Sequence, residues 1–327
     1  MKKRILALGL AMLMLVGCSN PGKKSDDASK GKSTGTKQEI QKDSKDKKTI
    51  TVTTSFINDM VHQLVGDKAN IQMIIPAGED PHLYVAKPED HKKLTEADLV
   101  LYHGLHFEGK MVEALERTGY AITSTFDKAK VGQMEGDNGK MEQDPHFWFN
   151  LELYNEAFTN VANKLKEFCK DNAELVKEID SKAKAYSQKL TELDKYIKDR
   201  VKEIPDGSRY LITPHDAFNY FAKSYGVEVM APQGISTDSE VANKEIESTA
   251  QFVVDKKVKA IFAESTTDPA RMKKLQEVVK SKGFDVKVVS GEGNELFSDS
   301  LAPKGQKGDT FIDMYKHNID LIVNNLK

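Results

Sequence analysis

Between Leu175 and Val201 apolar side chains recur at steps of three and four: Leu175, Ile179, Ala183, Tyr186, Leu190, Leu193, Ile197 and Val201. That spacing lays one apolar stripe along a helix, and Pro205-Asp206-Gly207 stops it. At about 1.5 Å per residue the helix runs roughly 45 Å, longer than one small lobe needs. Such a helix is either a coiled-coil partner surface or a rigid strut between two lobes. The stripe holds only about four heptads, and an α/β pattern flanks it on each side, which favours the strut.

The flanking pattern alternates strand and helix over the ~280 residues that follow Lys48, enough for two lobes. Before the stripe, strands are predicted at Thr49 to Thr53, Asn70 to Ile75 and Asp98 to Tyr102, and Leu151 to Cys169 reads as a helix. After it, Arg209 to Ile212, Val227 to Met230, Val258 to Phe262 and Val286 to Val289 repeat the alternation. Strands alternating with helices imply mainly parallel sheets flanked by helices, with ligands at the carboxyl ends of the strands. The expected fold class is therefore α/β. It has an N-terminal lobe over 49–170, a linking helix over 171–204 and a C-terminal lobe over 205–327.

The first residues concern location. Lys2, Lys3 and Arg4 precede a 13-residue apolar run from Ile5 to Gly17. The run is shorter than the ~20 residues that span a bilayer and closes on small residues, as a signal peptide over 1–17 does. Leu15-Val16-Gly17-Cys18 resembles a bacterial lipobox, in which the cysteine is lipidated after cleavage; an ordinary secretory signal with an incidental Cys18 is the plainer alternative. Lipidation would anchor the chain to the extracytoplasmic face of the cell membrane. From Cys18 to Lys48 the composition falls to Lys, Ser, Asp, Gly and Thr, with Ile40 the one large apolar residue after Pro21, so a disordered tether is expected. The second of the two cysteines, Cys169, then has no disulfide partner and reads as a half-buried core residue. A net charge of −2 argues against nucleic acid as a partner.

Three histidines follow prolines: Asp80-Pro81-His82, Asp144-Pro145-His146 and Thr213-Pro214-His215-Asp216. Proline fixes its own φ and disfavours helix before it, so each imidazole sits in a stiff loop. Metal sites need ligands held in place before the ion arrives. One such histidine means little; three at strand or helix edges point to metal binding.

These motifs occur in order with Gly78 to Tyr84, Gly104-Leu105-His106-Phe107-Glu108-Gly109-Lys110-Met111, Asp144 to Asn150, His215 to Phe221 and Gly234-Ile235-Ser236-Thr237. Together with the lipobox they resemble the TroA-like solute-binding lipoproteins, receptors of bacterial manganese/zinc ABC importers. The resemblance runs from Cys18 to the C-terminus. It implies two α/β lobes joined by one long helix, with a metal ion in the inter-lobe cleft. It implies as ligands His82 and His146 from the N-lobe, and His215 and Asp299 from the C-lobe, Asp299 lying in Glu295 to Leu301. It also implies an ABC permease and its cytoplasmic ATPase as partners, and no enzymatic activity.

Asp80, Asp144 and Asp216 flank the three histidines and either accept the far ring N–H of an imidazole or cap their loops. Glu264, ending a strand in Ala260 to Ser265, is a further outer-layer candidate. His103 and His106 form a His-x-x-His without the glutamate of zinc proteases; by the resemblance His106 is structural and His103 a departure. His62, His91 and His317 sit among polar residues in helical patterns and read as solvated. Ligand type alone does not select manganese, because intrinsic affinity favours zinc. The absence of histidine from Asp127 to Gln143, and the Gly-Ile-Ser-Thr and Gly-Leu-His-Phe-Glu-Gly-Lys stretches, resemble the manganese branch, placing Mn(2+) ahead of Zn(2+) and Fe(2+). Competing readings are an extracellular zinc metallohydrolase and a surface adhesin. Four filled ligand positions and no His-Glu-x-x-His or Gly-x-Ser-x-Gly motif argue against the hydrolase, and nothing in the sequence encodes a host-binding surface. A monomer is expected.

Overall fold

The computed structural model describes residues 47–135 and 140–327. The signal peptide, Cys18 and all but the last two residues of the tether lie outside that range. Lys48, which closes the tether, is fastened to the fold: its Nζ donates to the Phe168 carbonyl at 2.9 Å and lies 4.5 Å from the centre of the Phe168 ring. Among the described residues no helix is long and apolar enough to cross a membrane.

The N-lobe is built on four parallel strands, β1 (Thr49–Val52), β2 (Asn70–Met73), β3 (Leu99–Tyr102) and β4 (Tyr120–Ala121), in the order β2-β1-β3-β4. Ile50 pairs with both Ile71 and Leu99, so the central strand β1 is buried on both faces, as its near-continuous apolar run requires. Helices α1 (Ser55–Val65) and α4 (Leu151–Phe168) cover one face. The short helices α2 (Pro88–Thr95) and α3 (Val112–Thr118) bring Leu94 and Leu115 onto a second, smaller core with Ile74, Val100 and Tyr102. Asn150 caps α4, its side chain accepting from the backbone N–H groups of Glu152 and Leu153.

One pair of strands departs from the parallel pattern and has no counterpart among the predicted strands. Strands β5 (Gln133–Glu135) and β6 (Met141–Gln143) pair antiparallel in the stretch leading to His146.

The C-lobe pairs β7 (Tyr210–Ile212) with β8 (Glu228–Met230), and β9 (Ala260–Phe262) with β10 (Lys287–Val289), all parallel, with β7 lying against β9. Single bridges extend both pairs past their carboxyl ends, His215 with Gln233 and Glu264 with Leu296. Helix α6 (Asn219–Tyr225) follows β7; α7 (Asn243–Lys256) and α8 (Ala270–Ser281) close a core of Ile212, Val253, Ile261, Met272 and Leu275.

Helix α5 (Ala173–Val201) joins the lobes with 29 residues, matching the predicted stripe. Leu175, Ile179, Tyr186, Leu190, Leu193, Ile197 and Val201 are all buried. It is less a free strut than a spine: α5 packs against α1 and α4 of the N-lobe, and against α6 and the last helix, α9 (Phe311–Leu326), of the C-lobe. The largest core runs continuously from β1 through α5 to α9. Tyr154 of α4 stacks on Phe311 of α9, and the buried Asp59 of α1 accepts the Phe311 backbone N–H at 3.0 Å, satisfying an N-terminal donor of α9 from the other lobe. Cys169 is half-buried against this core.

If the stripe on α5 is what couples the lobes, Leu193→Ala should destabilise the protein by about 2–5 kcal/mol in urea, while Lys177→Ala on the exposed face should stay within about 0.5 kcal/mol. Equal midpoints for the two variants would contradict this packing.

Candidate metal centre

The three proline-preceded histidines leave three different places in the chain and meet. His82 follows β2 through Ile74 and Ile75, His146 opens the turn before α4, and His215 sits just past the carboxyl end of β7. Asp299 comes from the segment beyond β10, after the bridge at Leu296. One ligand-type atom from each of the four lies within 4.8 Å of all the others. Asp299 is the hub: its oxygens are 3.1 Å from His215 Nε2, 3.3 Å from His146 Nε2 and 3.8 Å from His82 Nε2. His146, His215 and Asp299 are 0 % exposed and His82 is 5 % exposed.

All three Nε2 atoms and both Asp299 oxygens are buried without a hydrogen-bond partner. Buried polar atoms left unpaired are costly and uncommon, and five aimed at one point suit a shared ion, in whose absence protons on His146 and His215 offset the charge of Asp299. Bonds of roughly 2.1 Å to a central ion set ligand atoms about 3–4 Å apart, so the observed cluster needs only slight contraction to hold one. Three imidazole nitrogens and a carboxylate suit a transition-metal dication.

The other ring nitrogens decide the orientation. Asp144 Oδ1 accepts the Nδ1–H of His146 at 2.7 Å and its backbone N–H at 3.0 Å. Glu264 Oε2 accepts the Nδ1–H of His215 at 2.5 Å and the Ser298 hydroxyl at 3.1 Å. A carboxylate on Nδ1 fixes the ring orientation and aims Nε2 at the centre, where it offers a lone pair once its own proton has left. Of the candidate outer residues, Asp144 and Glu264 therefore hold imidazole rings. Asp80 does not: its Oδ1 accepts the backbone N–H of His82 at 2.9 Å, which is loop capping. Asp216 touches no imidazole either, since the ring nitrogen it might have taken is already bound by Glu264; burial pushes its carboxyl up to about 6.

Electrostatics divide the histidines. Burial drives His82 down to about 3 despite the nearby Asp299, so it is neutral. Burial also opposes charge on His146, but the Asp144 hydrogen bond and the Asp299 carboxylate outweigh it and raise the ring to about 9. For His215 burial is likewise overcome, by Glu264 and Asp299, and its imidazole lies well above the ordinary range. Asp299 is held well below the usual carboxylate range because the His215 and His146 imidazoles outweigh the effect of its burial.

The remaining histidines sort differently from expectation. His103, not His106, is the structural one. It is buried among Phe56, Phe107, Phe147 and Trp148, with Nε2 2.7 Å from the Thr54 hydroxyl. His106 is exposed at the mouth of the cleft with φ +60°. His62 and His91 are exposed as expected, whereas His317 is buried on α9 with Nε2 3.0 Å from the Glu295 carbonyl. A polar neighbourhood in sequence concealed an inward-facing helical position.

Several supporting residues lie within the quoted motifs without a role that the sequence assigns them. Gly109, at φ +44°, lies so close to the His82 loop that a Cβ there would stand 2.3 Å from the His82 carbonyl oxygen, so only glycine fits. Glu108, buried beside it, accepts from the Thr53 hydroxyl and the His103 N–H, and burial pushes its carboxyl up to about 7. Tyr220 of α6 reaches across the lobes: its hydroxyl donates to the Asp144 carbonyl at 2.9 Å and accepts the Gly132 N–H at 2.8 Å. Trp148 Nε1 donates to the carbonyl of Ser298, beside Asp299, at 2.9 Å. Gly109 stood inside a motif already singled out; Tyr220 is 76 residues from its partner, and no local pattern predicts that contact.

Raised folded-state imidazoles stabilise the metal-free protein below the ordinary histidine value of 6.5, and this contribution disappears as pH rises through about 9. Chelator-treated protein should therefore lose stability in urea between pH 6.5 and pH 9. Greater stability at the upper end would contradict a protonated His146–His215 pair.

Comparison with known proteins agrees with this geometry. The family described as "Zinc-uptake complex component A periplasmic" (ZnuA) matches residues 50–325. The manganese-binding lipoprotein MntA of Bacillus subtilis is 35% identical over 85% of this chain and 89% of its own length. The zinc-binding protein TroA of Treponema pallidum is 33% identical over 98% of each. A solved TroA structure superposes with a TM-score of 0.83 at 55% identity, covering 86% of this chain and all of that one. The solved periplasmic TroA of Treponema pallidum gives 0.79 at 34%, covering 86% of this chain and 99% of that one. With two α/β lobes joined by one helix around a three-histidine, one-aspartate cluster, this chain belongs to the ZnuA family of periplasmic metal-binding proteins, the solute receptors of bacterial manganese and zinc ABC importers.

Proposed function

We propose that the protein is the lipid-anchored, extracytoplasmic receptor of an ABC importer. It captures Mn(2+) at His82, His146, His215 and Asp299 and delivers it to a membrane permease driven by a cytoplasmic ATPase. The single observation carrying this reading is the convergence of five buried, unpartnered donor atoms from both lobes. One ion bound there joins the lobes, which is how a receptor converts occupancy into a recognisable state. Cys18 supplies the membrane anchor, and the receptor works as a monomer.

Binding rather than hydrolysis follows from how the carboxylates are used. Asp144 and Glu264 are committed to imidazole nitrogens, and four protein ligands fill the positions that a catalytic metal would keep open for water. Manganese ranks ahead of zinc and iron on two resemblances to the manganese branch: the stretch from Asp127 to Gln143 carries no histidine, and the Gly234-Ile235-Ser236-Thr237 and Gly104-Leu105-His106-Phe107-Glu108-Gly109-Lys110 stretches are of that type. Relatives are named for both metals: MntA of Bacillus subtilis and PsaA of Streptococcus mitis for manganese, TroA of Treponema pallidum for zinc.

Protein purified from its native host should carry one equivalent of metal, with manganese exceeding zinc by elemental analysis. A thousandfold excess of metal over its dissociation constant should stabilise the fold by about 4 kcal/mol. Alanine at any one of the four positions should remove both the metal and the stabilisation, whereas His62→Ala should change neither. A melting temperature indifferent to manganese, zinc and chelator would refute the site.

Binding should also release protons, because His146 and His215 hold hydrogens where the ion must sit. Calorimetry in buffers of different ionisation heat should count about two protons expelled per ion near pH 7. The number should decline as pH passes about 9, where His146 loses its proton unaided, and apparent affinity should weaken steadily toward acid. Zero release at pH 7 would contradict the charge state deduced for the metal-free cluster.

A further inference from the structure

Of the four converging residues, His82 is the one that lines the cavity at the cleft mouth, a space of about 560 Å3 bordered by His106, Lys110, Pro145, Ile235 and Ser236. Any ion leaving the cluster by this cavity passes His82. It is also the least restrained imidazole: His146 and His215 each have a buried carboxylate on Nδ1, and among the described residues no carboxylate accepts from the His82 ring in that way. What holds His82 is its backbone, through Asp80 Oδ1 at 2.9 Å.

The second oxygen of Asp80 is also occupied. Asp80 Oδ2 accepts the hydroxyl of Thr237 at 2.6 Å, from the opposite lobe. Thr237 is 5 % exposed and belongs to a loop braced from behind. Gln233, which bridges to His215, donates through Nε2 to the carbonyls of Thr237 at 2.9 Å and Ser239 at 2.6 Å. Arg271 of α8 in turn donates to Gln233 Oε1. An unbroken run of hydrogen bonds therefore leads from α8, through the loop, across the cleft and into the backbone of the ligand at the mouth.

We propose that Thr237 is a positioning residue, a latch whose hydroxyl, braced by Gln233 and Arg271, grips Asp80 and thereby sets how long His82 retains the bound cation. The proposal rests on reading the four residues as ligands. Thr237 touches no ligand atom itself. A hydrogen bond to a carboxylate is stronger than a neutral one, and this one spans the lobes where their separation would release the ion. Its loss is expected in the dissociation rate, because the four donor atoms remain available for capture.

The test uses the full chain loaded with Zn(2+), which such a donor set holds tightly, mixed with excess chromogenic chelator in stopped flow. Thr237→Val keeps the shape and removes the hydroxyl. It should bind one ion but release it about tenfold faster, the effect of losing one charge-assisted hydrogen bond from the barrier. Thr237→Ser should restore release to within about threefold of the parent, and His62→Ala, on the exposed face of α1, should leave it unchanged. Should valine disturb the fold, seen as a lowered melting temperature without metal, Thr237→Ala read against Thr237→Ser makes the same comparison. Release at the parent rate in a folded hydroxyl-free variant overturns the latch alone. Equal acceleration by Thr237→Ser or His62→Ala does so too. A parent chain that takes up neither Zn(2+) nor Mn(2+) overturns the ligand reading beneath it.

Discussion

Everything near the cleft answers to one costly arrangement: a fully buried carboxylate, Asp299, facing three imidazole nitrogens with no hydrogen bond on either oxygen. Removing a charge from water is tolerable only when opposite charge or a metal replaces the solvent. Two imidazoles meet that demand without an ion, and a dication meets it in their place. The surroundings keep water out and hold the donors apart. Phe107 packs edge-on against His82, and Trp148 packs against His146 while its indole N–H grips the chain beside Asp299.

The same demand explains why the lobes are stitched together just there. Asp299 belongs to the C-lobe by sequence, yet its neighbours bond to the N-lobe. Ser300 Oγ accepts the Gly78 N–H at 2.7 Å, and Ser55 Oγ accepts the Leu301 N–H at 2.9 Å. With Tyr220 on the Asp144 carbonyl, these bonds surround the cluster on several sides. A preorganised donor set loses little entropy on capture, which is the physical route to tight binding by few ligands.

Much of this was legible in the sequence because the informative signals were local. The α5 stripe, the strand alternation and the proline-histidine pairs are each contained within a short window, and the structure places β1 through β3 and β7 through β10 within the predicted runs. The family resemblance was needed for Asp299, since an aspartate between two serines has no intrinsic mark of a ligand. Long-range partnerships were not legible. Asp80, Asp144 and Asp216 look alike beside their histidines, but one caps a loop, one holds a ring, and one faces neither. The difference depends on Glu264, 49 residues from His215, having already taken its ring nitrogen. His103 and His106 were exchanged for a related reason: the left-handed turn at Leu105 and His106 swings the second histidine outward, and no pattern of residue types encodes that turn.

Helix α5 has one more implication. Its 29 residues contain neither glycine nor proline, and it is bonded by packing to helices of both lobes along its length. A receptor hinged on extended linkers can swing its halves apart at little elastic expense. Here a comparable swing would bend an unbroken helix and tear a continuous core at the same time. Large-amplitude opening is thus mechanically disfavoured, and the loops at the rim of the cleft are the part of the molecule left freer to respond to loading.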